Sequence, residues 1–69
     1  MNAEDAATAL RVTHDAHEAL ADALACWQAK KVGTLADWQK LAWALGRLRR
    51  QEGLLRDTAA AFARAERRN

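Results

Sequence analysis

Four large apolar residues spaced seven apart, Leu41, Leu48, Leu55 and Phe62, constrain this chain more than any other feature. Trp38, Leu45 and Ala59 stand four places after Thr34, Leu41 and Leu55, so residues 34–68 carry one apolar stripe of helical period. Arg47, Arg49, Arg50, Arg56 and Arg64 surround that stripe, which makes the predicted helix amphipathic with a mainly basic polar face. A helix of this length takes up half of a 69-residue chain. The other half must therefore supply whatever covers the stripe.

The first half also reads as a helix. Asn2 is a good N-cap, and Glu4 and Asp5 fall in the first turn, where the helix dipole favours negative charge. The predicted helix spans about 3–31 and ends in Lys30 and Lys31, with Gly33 as the expected left-handed stop. Its apolar positions form two columns of a seam: Ala3, Leu10, His17 and Leu24, then Ala6, Thr13, Leu20 and Trp27. A further column runs through Ala9, Val12, Ala16, Ala19, Ala23 and Cys26. That apolar sweep is too wide for one partner helix and suits a helix touched on two sides.

The turn is short. Residues 32–34 separate the helices, and Thr34 with Asp37 resembles a capping box with aspartate in the glutamate position. A second helix over about 35–67 then lies antiparallel to the first, with Trp27 and Trp38 packed at the turn end and the last residues, from Glu66 on, frayed. The absence of proline and the abundance of alanine, leucine and arginine favour helix throughout. Gly46 and Gly53, seven apart inside the second helix, fit either a close approach of another backbone or simple tolerance of two weak positions.

A hairpin of two long helices leaves apolar surface that neither can cover. The expected fold is an all-α antiparallel two-helix hairpin, one domain, that homodimerises into a four-helix arrangement. Leu41, Leu45, Leu48, Leu55, Phe62, Leu20 and Leu24 are the expected core and dimer residues.

Charge divides the chain. Residues 1–31 hold five acids against three bases, and residues 32–69 hold eight bases against four acids. On the first helix Glu4, Asp15, Glu18 and Asp22 follow a single ridge, which would suit a basic partner. The seven arginines and Lys40 of the second half are the footprint nucleic-acid binding requires, yet acids interleave with them and no helix-turn-helix or zinc-finger spacing exists. Nucleic acid is the runner-up partner.

Chemistry has no visible apparatus. There is no serine, no glycine-rich phosphate loop, and no carboxylate away from a helix surface or an arginine. The chain reads as no enzyme and no cofactor carrier. His14 and His17, three apart, share a helix face, but catalytic zinc pairs histidines four apart and di-iron bundles use Glu-x-x-His. The expectation is no metal, with the histidines packed in a seam or fixing a dimer register. The single Cys26 has no disulfide partner and reads as a small buried apolar side chain in a reducing cytoplasm. The acidic first residues lack a signal-peptide pattern, and no membrane span is expected.

Trp43 falls off the stripe, on the side of Arg47 and Arg50. Tryptophan beside arginines is a composition enriched in protein–protein hot spots. Trp43, Arg47 and Arg50, with Asp15, Glu18 and Asp22 as a second surface, are the expected partner-binding residues.

In plan, with a first helix to Lys31, the Val32-Gly33-Thr34 turn and the Trp38/Trp43 helix rich in alanine and arginine, the chain resembles the small helical proteins by which temperate bacteriophages disable host machinery. It is most similar in size and plan to the phage quorum-sensing anti-activators. That resemblance implies an inhibitor in the host cytoplasm that binds a LuxR-type transcription regulator and keeps it from DNA, with the type IV pilus assembly motor as a further target. Small anti-CRISPR proteins and antitoxins share the plan, and no binding residue carries over from any of them.

Overall fold

In a computed structural model that describes residues 2–68, the chain forms two helices, α1 (Ala3–Lys30) and α2 (Leu35–Arg68), packed side by side. There is no strand among the described residues. The molecule is a rod of 54 × 14 × 14 Å with a radius of gyration of 15.7 Å. A compact domain of this length would have a radius near 11 Å. Each helix therefore touches its neighbour along a single strip. No helix among the described residues is long and apolar enough to cross a membrane.

Local chemistry sets both helix starts. The Asn2 side chain accepts from the Asp5 amide at 2.8 Å and caps α1. At α2, Thr34 Oγ1 accepts from the Asp37 amide at 3.2 Å while Asp37 Oδ2 accepts from the Thr34 amide at 3.0 Å. These reciprocal bonds are the expected capping box, and they hold the Asp37 carboxyl below its usual pKa, the Thr34 backbone contact first. Trp38 Nε1 donates to the Val32 carbonyl at 2.6 Å, and the Trp27 and Trp38 rings flank Gly33.

Two local expectations change. The left-handed stop of α1 is Lys31, at φ 56°, whose amide turns back to the Gln28 carbonyl; Gly33, at φ 80°, forms a second positive-φ position in the turn. Lysine is strained there because its Cβ crowds the following carbonyl. Lys31→Gly should accordingly raise stability by about 1 kcal/mol, measured by urea melts. At the far end, Glu66 Oε1 accepts from the Ala3 amide at 3.1 Å, so α2 stays helical to Arg68 where fraying was expected. Asn69 lies outside the described residues.

Between the helices the core is thin. Ala6 and Leu45 are the buried apolar residues, while Leu20, Leu24, Leu41, Leu48, Leu55 and Phe62 are half-buried along the same strip. In the further column on α1, Ala9 and Ala23 are half-buried and the other four residues are not. Val12, Ala16, Ala19 and Cys26 are exposed, which corrects the reading of Cys26 as a buried side chain. A Cβ added at Gly46 or Gly53 would meet nothing within 4 Å, so no backbone of this chain approaches either glycine. Gly46→Ala should then raise the unfolding free energy by about 1 kcal/mol through helix propensity alone. A loss of stability in that melt would instead place the backbone of a second chain against the column.

Candidate functional site

Glu52 breaks the seam. Trp38, Leu45 and Ala59 form one of α2's two seam columns, and Glu52 occupies the remaining place in its seven-residue spacing. Its side chain enters the helix–helix contact, and the residue is 5% exposed. A carboxylate there is costly unless it is paired and hydrogen-bonded. On α1 the seam column is broken at His17, and His14 lies one turn before it. The polar interruptions of both helices meet at one level of the hairpin.

The pairing is complete. His14 Nδ1 lies 2.6 Å from Glu52 Oε1, and His17 Nδ1 lies 2.6 Å from Oε2, so each carboxylate oxygen has its own imidazole. Arg56 adds a contact of 3.3 Å to Oε1 from one turn further along α2. No buried side-chain polar atom among the described residues lacks a partner.

The outer nitrogens indicate which ring atoms face donors and which face acceptors. His17 Nε2 accepts from Arg49 Nε at 3.2 Å, which requires a lone pair there and puts the ring proton on Nδ1, facing Glu52. His14 Nε2 faces Glu18 Oε1 at 3.0 Å, so that ring lies between two carboxylates and donates to both. The His14 pKa is raised chiefly by the hydrogen bond to Glu52, with that charge and Glu18 adding to it against some desolvation. The Glu52 carboxyl is held below its usual range, first by His17 and then by His14.

These shifts fix a pH window. The raised His14 adds stability that is fully present below its ordinary value of 6.5 and is lost as pH climbs through the folded value. The lowered Glu52 adds stability that is present above its ordinary value of 4.5 and is lost as pH falls through the folded value. With chelator present, the thermal midpoint should be highest at about pH 5–6 and fall on both sides, most clearly towards about pH 8 and pH 4. Circular dichroism melts across that range read it directly; Glu52→Gln should flatten the profile. The cluster also gathers donor atoms of His14, His17 and Glu52 within 4.8 Å of one another.

A second surface lies on the opposite side of α2. Trp43 is 65% exposed and Leu54 is 69% exposed. The Arg47 guanidinium carbon stands 5.0 Å from the Trp43 ring centroid, a cation–π contact on the outer side of the helix. Trp43, Arg47, Arg50, Gln51 and Leu54 line a shallow depression along this face, and Ala36, Gln39 and Lys40 extend it toward the turn.

The expected partner-binding residues fall into separate groups. Trp43, Arg47 and Arg50 come together on α2, whereas Asp15, Glu18 and Asp22 are exposed on α1. Glu18 belongs partly to the histidine cluster. The basic face is also smaller than the arginine count suggests, because Arg49 and Arg56 are turned onto His17 and Glu52 and Arg47 covers an indole.

Glu52 was absent from the expected site, and carboxylates were expected only on helix surfaces or beside arginine. The clue was present as a gap in the Trp38, Leu45, Ala59 column, at a place where an apolar residue should stand. Comparison with protein-family models, curated proteins and solved structures finds no match to this chain.

Proposed function

We propose that this protein is a small non-enzymatic inhibitor that acts as a homodimer and blocks a host protein by covering part of its surface with the outward face of α2. The observation that carries the reading is the exposed Trp43, propped by Arg47 and continued by Leu54 one side of a helix away from the seam. Large exposed aromatics beside arginines are the side chains that dominate protein–protein binding energy. Nothing in the hairpin needs Trp43 for its own packing.

The homodimer rests on surface area. The chain exposes 5241 Å², where a globular protein of its mass exposes about 4,300 Å². The difference, roughly 900 Å², is close to what one partner buries in a stable interface. The half-buried leucines and Phe62 of the seam are the surface a second hairpin would cover, giving four helices around one core.

The resemblance in plan to phage quorum-sensing anti-activators makes a LuxR-type transcription regulator the first partner to test and the type IV pilus motor the second. In this reading the protein works in the host cytoplasm and carries the acidic ridge of Asp15 and Asp22 as a second surface toward a basic partner.

The test is a pull-down of a purified LuxR-type regulator with three variants. Trp43→Ala should weaken binding by about 2 kcal/mol or more, and Arg47→Ala with Arg50→Ala by a smaller amount, with the dimer intact. Asp15→Ala with Asp22→Ala probes the ridge without disturbing the Glu18–His14 contact. Retention of wild-type affinity by all three would remove the assigned surfaces. Tight binding of the wild type to duplex DNA, falling steeply with salt, would establish the nucleic-acid alternative.

A further inference from the structure

We propose that His14, His17 and Glu52 form a binding site for one divalent transition-metal ion of the zinc class, which clamps α1 to α2 at mid-hairpin. The donor set is two imidazoles and a carboxylate, the chemistry such ions take, with a further position left for water. The two histidines occupy one face of α1 one turn apart, and the carboxylate reaches them from the opposite helix. Their ligand atoms already lie within 4.8 Å of one another, with each Nδ1 2.6 Å from a carboxylate oxygen. Metal bonds of about 2.0–2.2 Å place neighbouring donors a little over 3 Å apart. Around an ion that takes the place of the two Nδ1 protons, the hydrogen-bonded contacts open by a fraction of an ångström and the widest donor pair, up to 4.8 Å apart, closes by about 1.5 Å.

The surroundings fit the exchange. Once Nδ1 of His14 holds the ion, its Nε2–H still donates to Glu18, the carboxylate–histidine–metal arrangement that orients a ligating ring. His17 must move its ring proton from Nδ1 to Nε2, which ends the bond from Arg49. Arg49 is exposed and free to swing into solvent, as is Arg56 beside the carboxylate. One net proton, from His14, leaves for each ion bound. Glu52 needs no desolvation beyond what the fold has already imposed, since it is 5% exposed before any ion arrives. The side-chain exposures of 47% for His14 and 21% for His17 leave an entry path from that side.

The site was not legible from the histidine spacing alone. A pair of histidines three apart is a weak signal, and the third ligand lies 35 residues away from His17.

Titration calorimetry with zinc chloride tests this on full-length, tag-free Cys26→Ser protein, which removes the exposed thiol as a competing ligand. The expected result is one ion per chain at micromolar concentration and a rise in thermal midpoint on the order of 10 °C at a hundredfold excess over the dissociation constant. Glu18→Gln should weaken binding by roughly tenfold through the loss of its bond to His14. His17→Gln should weaken it further while circular dichroism shows the helices retained. If that variant unfolds, His14→Gln, at the more exposed ring, supplies the same comparison. A dissociation constant weaker than about 100 μM at neutral pH overturns the proposal, given how tightly structural zinc sites bind. So does binding that survives loss of either histidine unchanged.

Discussion

Leu45→Asp should abolish the fold. Leu45, 7% exposed, is the one large apolar side chain buried between α1 and α2 among the described residues, and its neighbours along the strip are only half-buried. A carboxylate in its place would be buried in the seam, where Arg49, one turn along α2, is already turned onto His17, and a buried charge with no built partner costs several kcal/mol. A 69-residue chain with so thin a core has little more stability than that to lose. Leu45→Ala should be milder, about 2–3 kcal/mol, because the narrow contact can partly collapse around the gap. Far-ultraviolet circular dichroism at room temperature distinguishes the two. The aspartate variant should have lost most of its helical signal, and the alanine variant should retain it with a lower melting point.

The second large effect concerns Glu52, where two substitutions should move in opposite directions. Glu52→Ala removes the shared acceptor of His14 and His17 and leaves the more enclosed His17 with an unmatched Nδ1–H. Its thermal midpoint at pH 6 should fall by on the order of 10 °C. Glu52→Leu combined with His17→Leu restores an apolar residue to both seams at once. Replacing a buried ionic group by packed apolar side chains is often neutral or stabilising, so the double variant should melt at or above the wild type. Cluster and seam are then separated: the charged group fixes which positions face each other, and apolar contact supplies the stability. A double variant that melts as low as Glu52→Ala would mean that the cluster itself holds the helices together.

What could be read from the sequence divides by distance along the chain. The Asn2 cap and the Thr34–Asp37 box span four residues each, so the residue types alone determine them. The hairpin follows from a connection too short to do anything else. The Trp43 face follows from its angle on α2, a property of one helix. Glu52 is different, because its meaning depends on which residues of α1 lie opposite, and that register is a property of the pair. The only local sign was a charged residue in a column that should be apolar. Cys26 failed for the same reason. Its column is apolar, but being apolar does not say which side of α1 the partner helix occupies.

The division of surfaces also limits how the protein can work. In the proposed dimer, seam residues that build a four-helix core would be unavailable to a partner, whereas Trp43, Arg47 and Leu54 lie on the opposite side of α2. A homodimer would present two such faces. That doubling would favour a partner that is itself dimeric, since a second contact adds avidity when both can engage together.

The claim on which this account depends most is that the isolated hairpin is half of the working protein. Sedimentation equilibrium at micromolar concentration tests it directly, run on the wild type and on Trp43→Ala. Both should sediment at twice the chain mass of 7.6 kDa, because the proposed dimer is built on the seam and leaves the outward face of α2 out of the contact. A wild-type protein that is fully helical and sediments as a single chain would contradict it.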